Sequence, residues 1–318
     1  MHKLLYFTFA LMSAFGQVTV DVAARPAANT ANVALAAVGM TLGDGILPCV
    51  GLGGIDCYGV PPNNVVVQPV SFITPNTTPI WYAVYQTNGW TGTLTATFSL
   101  IEKGSVVQTA TQSAIADGGA SVIMITTPQA VPTNGYVGPV TFTVTTTAMP
   151  TGGGMPGTLK SGILLQMVAA PGGTGKTVKV TQVMAGSLQA LGSGSPCVAN
   201  VGYPCFGTPV GTVVFQPSMF LMAPSQPTFF AVFQAAYPFR GGASAQIQLT
   251  EAGTAVATLG EKIGLASNGI MTVMISGGVN LPGNGYVGPA VLTGTAVATS
   301  NSGATINLKS SVVGQIVP

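Results

Sequence analysis

Apolar and polar residues alternate one for one through long parts of this chain. The stretches "TLTATFSL" (residues 93–100), "SVIMITT" (121–127) and "PVTFTVTTT" (139–147) show it, and "SAQIQLT", "MTVMIS" and "AVLTGTAVA" repeat it further on. A period of two places one set of side chains on each face of a β-strand, and Gly, Pro and Asn clusters between the runs read as turns. No segment carries a sustained helical period with caps. In the first half the pattern predicts seven strands, near Val65, Trp81, Thr93, Ser105, Ser121, Tyr136 and Ser161.

The pattern then recurs. "PCVGLGGIDCYGVP" (48–61) returns as "PCVANVGYPCFGTP" (196–209), "VVVQP" (65–69) as "VVFQP" (213–217), and "YAVYQ" (82–86) as "FAVFQ" (230–234). "NGYVGP" appears unchanged at 134–139 and 284–289, and Lys160-Ser161 is matched by Lys309-Ser310. Landmarks in the same order at a nearly constant offset mark an internal duplication. The expected organisation is a signal peptide at 1–16, an N-terminal extension or strand at 17–45, a first β-sandwich at 46–168, a connector with a strand at 169–195, and a second sandwich at 196–318. Seven short strands per copy predict an all-β chain of two tandem immunoglobulin-like Greek-key sandwiches. Tyr136 and Tyr286 each follow Asn-Gly at a strand entry. There a tyrosine corner is expected, with the hydroxyl bonded back to the preceding turn.

The N-terminal "MHKLLYFTFALMSAFG" has a basic Lys3, an apolar run and a small-x-small site, the form of a secretory signal with Gln17 as the expected mature start. No later apolar run is long enough for a transmembrane span, which needs roughly 20 residues. Composition sharpens this. The chain of 318 residues is 47% hydrophobic but only 5% charged, against about 25% in ordinary soluble domains. Little charge keeps its copies apart, which favours assembly. Nine scattered basic residues against seven acidic ones make no phosphate-binding patch, so nucleic acid is not an expected partner.

Four cysteines form two C-x7-C loops, one per copy. Export and repeat symmetry select the disulfides Cys49–Cys57 and Cys197–Cys205 over zinc, which wants closer pairs together with histidine. Closing each loop should contribute roughly 2–3 kcal/mol. The one histidine, His2, lies in the signal, so Ser-His-Asp and Cys-His sets are absent. Glu102 and Glu251 occupy one position in two copies, inside the turns "EKG" and "EAG", and as equivalents in separate domains they need not meet as a converging acid pair. No enzyme, cofactor or metal is expected.

"ILLQMVAAPGGTGKT" (163–177) approaches a Walker A loop. The residues after Lys176 alternate like a strand where a P-loop requires a helix N-terminus. Its leading strand also aligns with "SSVVGQIV" at 310–317, so it reads as a closing strand followed by a joint.

The expectation is an exported structural subunit of a filament, pilus or surface layer that pairs with itself or with other surface proteins through strand edges. Val18, Val20 and Val22 form a candidate donor strand, and "TVKVTQV" (177–183) stands in the same place before the second copy. The other reading is a surface adhesin recognising a glycan through the aromatic loops of Trp90 and of Tyr237, Phe239 and Arg240; packed hairpin tips explain the same residues. An outer-membrane β-barrel fits alternation and export, but the paired cysteine loops suit sandwiches better. Asn76 opens an N-T-T glycosylation sequon.

Overall fold

The computed structural model describes residues 32–42, 48–51, 57–119, 121–169, 179–188, 196–200, 205–236, 239–266 and 269–318. These are strands and turns, with no helix among them. The first copy contributes β1 (Val33–Thr41), β2 (Cys49–Val50), β3 (Val65–Val67), β4 (Phe72–Ile73), β5 (Ile80–Thr87), β6 (Thr91–Glu102), β7 (Ser105–Asp117), β8 (Val122–Pro128), β9 (Gly138–Pro150) and β10 (Gly157–Met167). The second gives β11 (Val180–Leu188), β12 (Cys197–Val198), β13 (Val213–Phe215), β14 (Phe220–Met222), β15 (Thr228–Ala236), β16 (Arg240–Glu251), β17 (Thr254–Ala266), β18 (Ile270–Gly278), β19 (Gly288–Ser300) and β20 (Thr305–Val317).

Each copy builds two layers by antiparallel pairing. In the first, β5 lies between β1 and β8, while the other layer runs β7-β6-β9-β10. In the second, the layers are β11-β15-β18 and β17-β16-β19-β20. The long strands carry the expected alternation: β6 buries Leu94, Ala96, Phe98 and Leu100 and turns Thr93, Thr95, Thr97 and Ser99 outward. The β6–β7 hairpin turns through Lys103 (φ 49°) and Gly104 (φ 83°), and its counterpart through Ala252 (φ 46°) and Gly253 (φ 89°). Positive φ at both central residues matches the twist of the flanking strands.

Strands β1 and β11 fall outside the seven expected per copy. They lie in the stretches expected to be an extension and a connector, and within "TVKVTQV" the described strand begins at Val180 and runs on to Leu188. The reason is burial on both faces. All nine residues of β1 are buried, so no alternation is left to read. Val33, Leu35, Val38 and Met40 join the first copy's core, whereas Ala34, Ala36 and Ala37 join the cluster that also holds Met184, Phe230 and Val232 of the second. The small face has a partner close by. A Cβ on Gly186 of β11 would lie 2.7 Å from the Phe230 ring and 3.5 Å from the Ala36 carbonyl. Gly39 stands under Tyr82 in the same way, so each glycine makes room for the aromatic opposite it.

The copies are therefore not two separate sandwiches on a joint. Strand β10 meets β20 at Gly162↔Ser311 and β1 meets β20 at Leu35↔Val313, making one large sheet that curls back in a nearly closed, barrel-like form. Strand β3 pairs with β13 about Val66↔Val214, flanked by β2 and β12. Two cross-copy pairs, Val66↔Val214 and Gly162↔Ser311, join a residue to its own repeat counterpart, as about a two-fold axis. Side chains obey the same rule. Gln234 Oε1 accepts from the Ser71 N–H at 2.9 Å, and Gln86 Oε1 accepts from Met219 N–H, the counterpart of Ser71, at 2.6 Å.

Candidate functional site: open edges and an outer groove

The cysteines bond as Cys49–Cys57 and Cys197–Cys205. Both bridges pack with Val60, Val66, Ala199 and Val214 around the small β12-β13-β3-β2 sheet, so they brace the junction of the copies rather than two distant ends. Two such bonds point to an oxidising environment. Among the described residues no helix is long and apolar enough to cross a membrane.

Trp90 is 7% exposed and Phe239 5%, so neither ring offers a face for stacking. Arg240 is exposed at the start of β16, and Tyr237 lies outside the described residues. Val18, Val20 and Val22, the signal segment and Lys176 also lie outside them. Asn76 is exposed in the turn between β4 and β5.

Tyr136 and Tyr286 sit in matching turns just before β9 and β19. Asn134 Oδ1 accepts from the Tyr136 N–H at 3.0 Å, and Asn134 Nδ2 donates to Glu102 Oε2 at 2.7 Å. The Tyr136 hydroxyl donates forward, to the Pro139 carbonyl at 2.8 Å, and not back to the preceding turn. Asn284, Glu251, Tyr286 and Pro289 repeat the arrangement. This clasp ties the tip of each long hairpin to the loop entering the next strand. Burial, then the nearby glutamate charge, push both phenols above their usual range. Among the described residues no three His, Cys, Asp or Glu side chains converge as a metal site.

Two surfaces remain. The first is a sheet edge that, among the described residues, no further strand pairs. The path β17-β16-β19-β20-β10-β9-β6-β7 ends in β7 at one side and β17 at the other, each 13 residues long. Strand β7, "SVVQTATQSAIAD", carries no charge before its terminal Asp117 and exposes Val106 and Ile115. Strand β17 carries Glu261 and Lys262 in its interior.

The second is the outer face of each four-stranded layer. Register places Ser113, Thr95, Thr147 and Thr158 in one row across the first copy, and Thr111, Thr97, Thr145 and Lys160 in the next. These hydroxyls satisfy one another, with Thr95 to Ser113 at 2.9 Å and Thr97 to Thr111 at 3.3 Å. The equivalent rows of the second copy read Lys262, Ser244, Val297, Asn307 and Gly260, Gln246, Thr295, Lys309. They line a groove of about 730 Å³. Alternation revealed which residues face outward; it did not reveal that one face is hollowed, because that depends on four strands brought into register.

Comparison with known protein families and with curated proteins finds no match. Among solved structures the chain is similar to one described as "pT26-6p", at 9% identity and a TM-score of 0.23, over 90% of this chain and 66% of that one. A likeness at that level carries no argument about fold or function.

Proposed function

We propose that this chain is an exported structural subunit of an extracellular filament, pilus or surface layer, and that its subunits join through strand edges. In this reading each copy is an immunoglobulin-like Greek-key sandwich. The support is the pairing of its first, second and fifth long strands in one layer, and of the fourth, third, sixth and seventh in the other.

The observation that carries the assembly reading is β7. Natural edges are blunted by shortness, charge or proline, because a bare row of N–H and C=O groups recruits another strand. Strand β7 is long and uncharged in its interior and contains no proline. Eight strands alternating in direction leave β7 antiparallel to β17. A neighbour whose β17 pairs with β7 therefore extends the sheet without closing, whereas β7-to-β7 pairing stops at a dimer.

The test is negative-stain imaging and light scattering of the exported protein beside a Thr111→Lys, Ser113→Lys variant. The wild type is expected to polymerise and the variant to remain monomeric. A wild type that stays monomeric at high concentration defeats the reading.

A further inference from the structure

We propose that the outer groove of the second copy binds an acidic oligosaccharide. This does not depend on the assembly reading, since the groove lies on a sheet face and not on the β7 edge. Eight side-chain positions define it, and strand register fixes which way each points. Ser244 and Gln246 are exposed, so their cross-strand partners Lys262 and Gly260 share the outer face, as do Thr295 and Val297 of β19 and Asn307 and Lys309 of β20. Glu261 lies opposite Ala245, whose side chain is buried inward, so its carboxylate projects from the other side of the sheet.

The lining then reads as a recognition set. Ser244 offers a hydroxyl, Thr295 one that donates to the Gln246 carbonyl at 3.4 Å and keeps its lone pairs for a ligand, Gln246 and Asn307 side-chain amides that both donate and accept, and Val297, 43% exposed, an apolar patch for the C–H face of a ring. Lys262 and Lys309 stand on the outermost strands of the four, three strand spacings or roughly 14 Å apart. A ligand meeting both needs separated anionic groups and many hydroxyls, which describes a short chain of acidic sugars and not a single ring.

The first copy supplies the contrast. Its rows carry Ser113 in place of Lys262 and Thr111 in place of Gly260, and its hydroxyls are bonded to each other across the strands. The second copy therefore has a cation and lacks a side chain at two successive outward positions of β17, in a chain with only nine Lys and Arg in all.

Titration calorimetry of the full chain with a tetragalacturonate, and with a neutral cellotetraose, tests the proposal. Binding of the acidic chain should weaken with added salt, and the neutral one should bind at least about ten-fold more weakly. Lys262→Ser and Gly260→Thr install residues that the same scaffold already carries in the first copy. Lys262→Ser should weaken the acidic ligand by about ten-fold, the loss expected when a hydrogen bond to a charged group is removed, and Gly260→Thr should weaken both sugars by filling space in the groove. No binding of either sugar, equal binding of both, or binding unaffected by the two substitutions overturns it.

Discussion

The two copies share a scaffold and differ in what fills it. Both keep the disulfide, the Asn–Glu–Tyr clasp, the glycine beneath an aromatic and the glutamine that crosses to the other copy. Their cores diverge. The first centres on Trp81, Phe98 and Phe142, with ring centroids 5.3–6.3 Å apart, where the second has Phe229, Ile247 and Leu292. In the first, Tyr85 and Thr146 share a buried hydrogen bond of 2.5 Å; at the same places the second has Phe233 and Ala296, both apolar. At these places the hydrogen-bonded pair of one copy is matched by two apolar residues in the other, so neither leaves a lone hydroxyl there. Backbone pairing and the junction are held in common, while interior volume and outer faces are free to vary.

The largest expected effect is in the aromatic core. Phe142→Ala should cost about 3–5 kcal/mol and Leu292→Ala about 2–5 kcal/mol, measured by denaturant unfolding. A single cooperative transition in both variants would show that the common junction couples the copies; two separated transitions would show that it does not.

Next comes the junction. Gln234 bridges Ser71, Pro69 and Thr272, whereas Gln86 is bonded across the junction to Met219. Gln234→Ala should cost about 1–3 kcal/mol by orphaning buried partners, and Gln86→Ala less. Equal losses would mean that the two-fold resemblance extends to energetics as well as geometry.

Alkaline pH should separate the copies. Burial raises the phenols of Tyr82 and Tyr85 above their usual value of about 10. Above that pH the unfolded chain gives up protons that the folded chain keeps. Their contribution is thus complete below about pH 10 and falls as pH rises further. The second copy has Phe230 and Phe233 there. Unfolding followed against pH should show the decline, and Tyr82→Phe with the paired change Tyr85→Phe, Thr146→Ala should flatten it.

The smallest effect is expected at Tyr82 alone. Among the described residues its buried hydroxyl has no hydrogen-bond partner, so Tyr82→Phe at neutral pH should be neutral or stabilising by up to about 1 kcal/mol. A clear loss of stability would show that the phenol is satisfied in solution.

The long strands, the hairpin turns, the cysteine pairing and the repeat were legible because each is a local or self-referential signal. Alternation in "TLTATFSL" needs only one buried face, and two C-x7-C loops need only their own symmetry. Strand β1 was not legible, since "VALAAVGMT" is buried on both faces and a period of two vanishes when nothing is exposed. Trp90 and Phe239 looked like contact residues because an aromatic beside glycine reads the same whether it points to solvent or into the core.

By itself, then, the sequence determined an all-β chain made twice over, with one side of most long strands buried and a cystine loop in each copy. Only the tertiary structure decided that the copies share a core about a two-fold junction, that β7 stands at the end of the sheet with no further strand beside it among the described residues, and that Lys262 and Lys309 face one groove. Those relations join residues far apart in the chain or on different strands, and what brings them together is strand order and register, which no local pattern encodes.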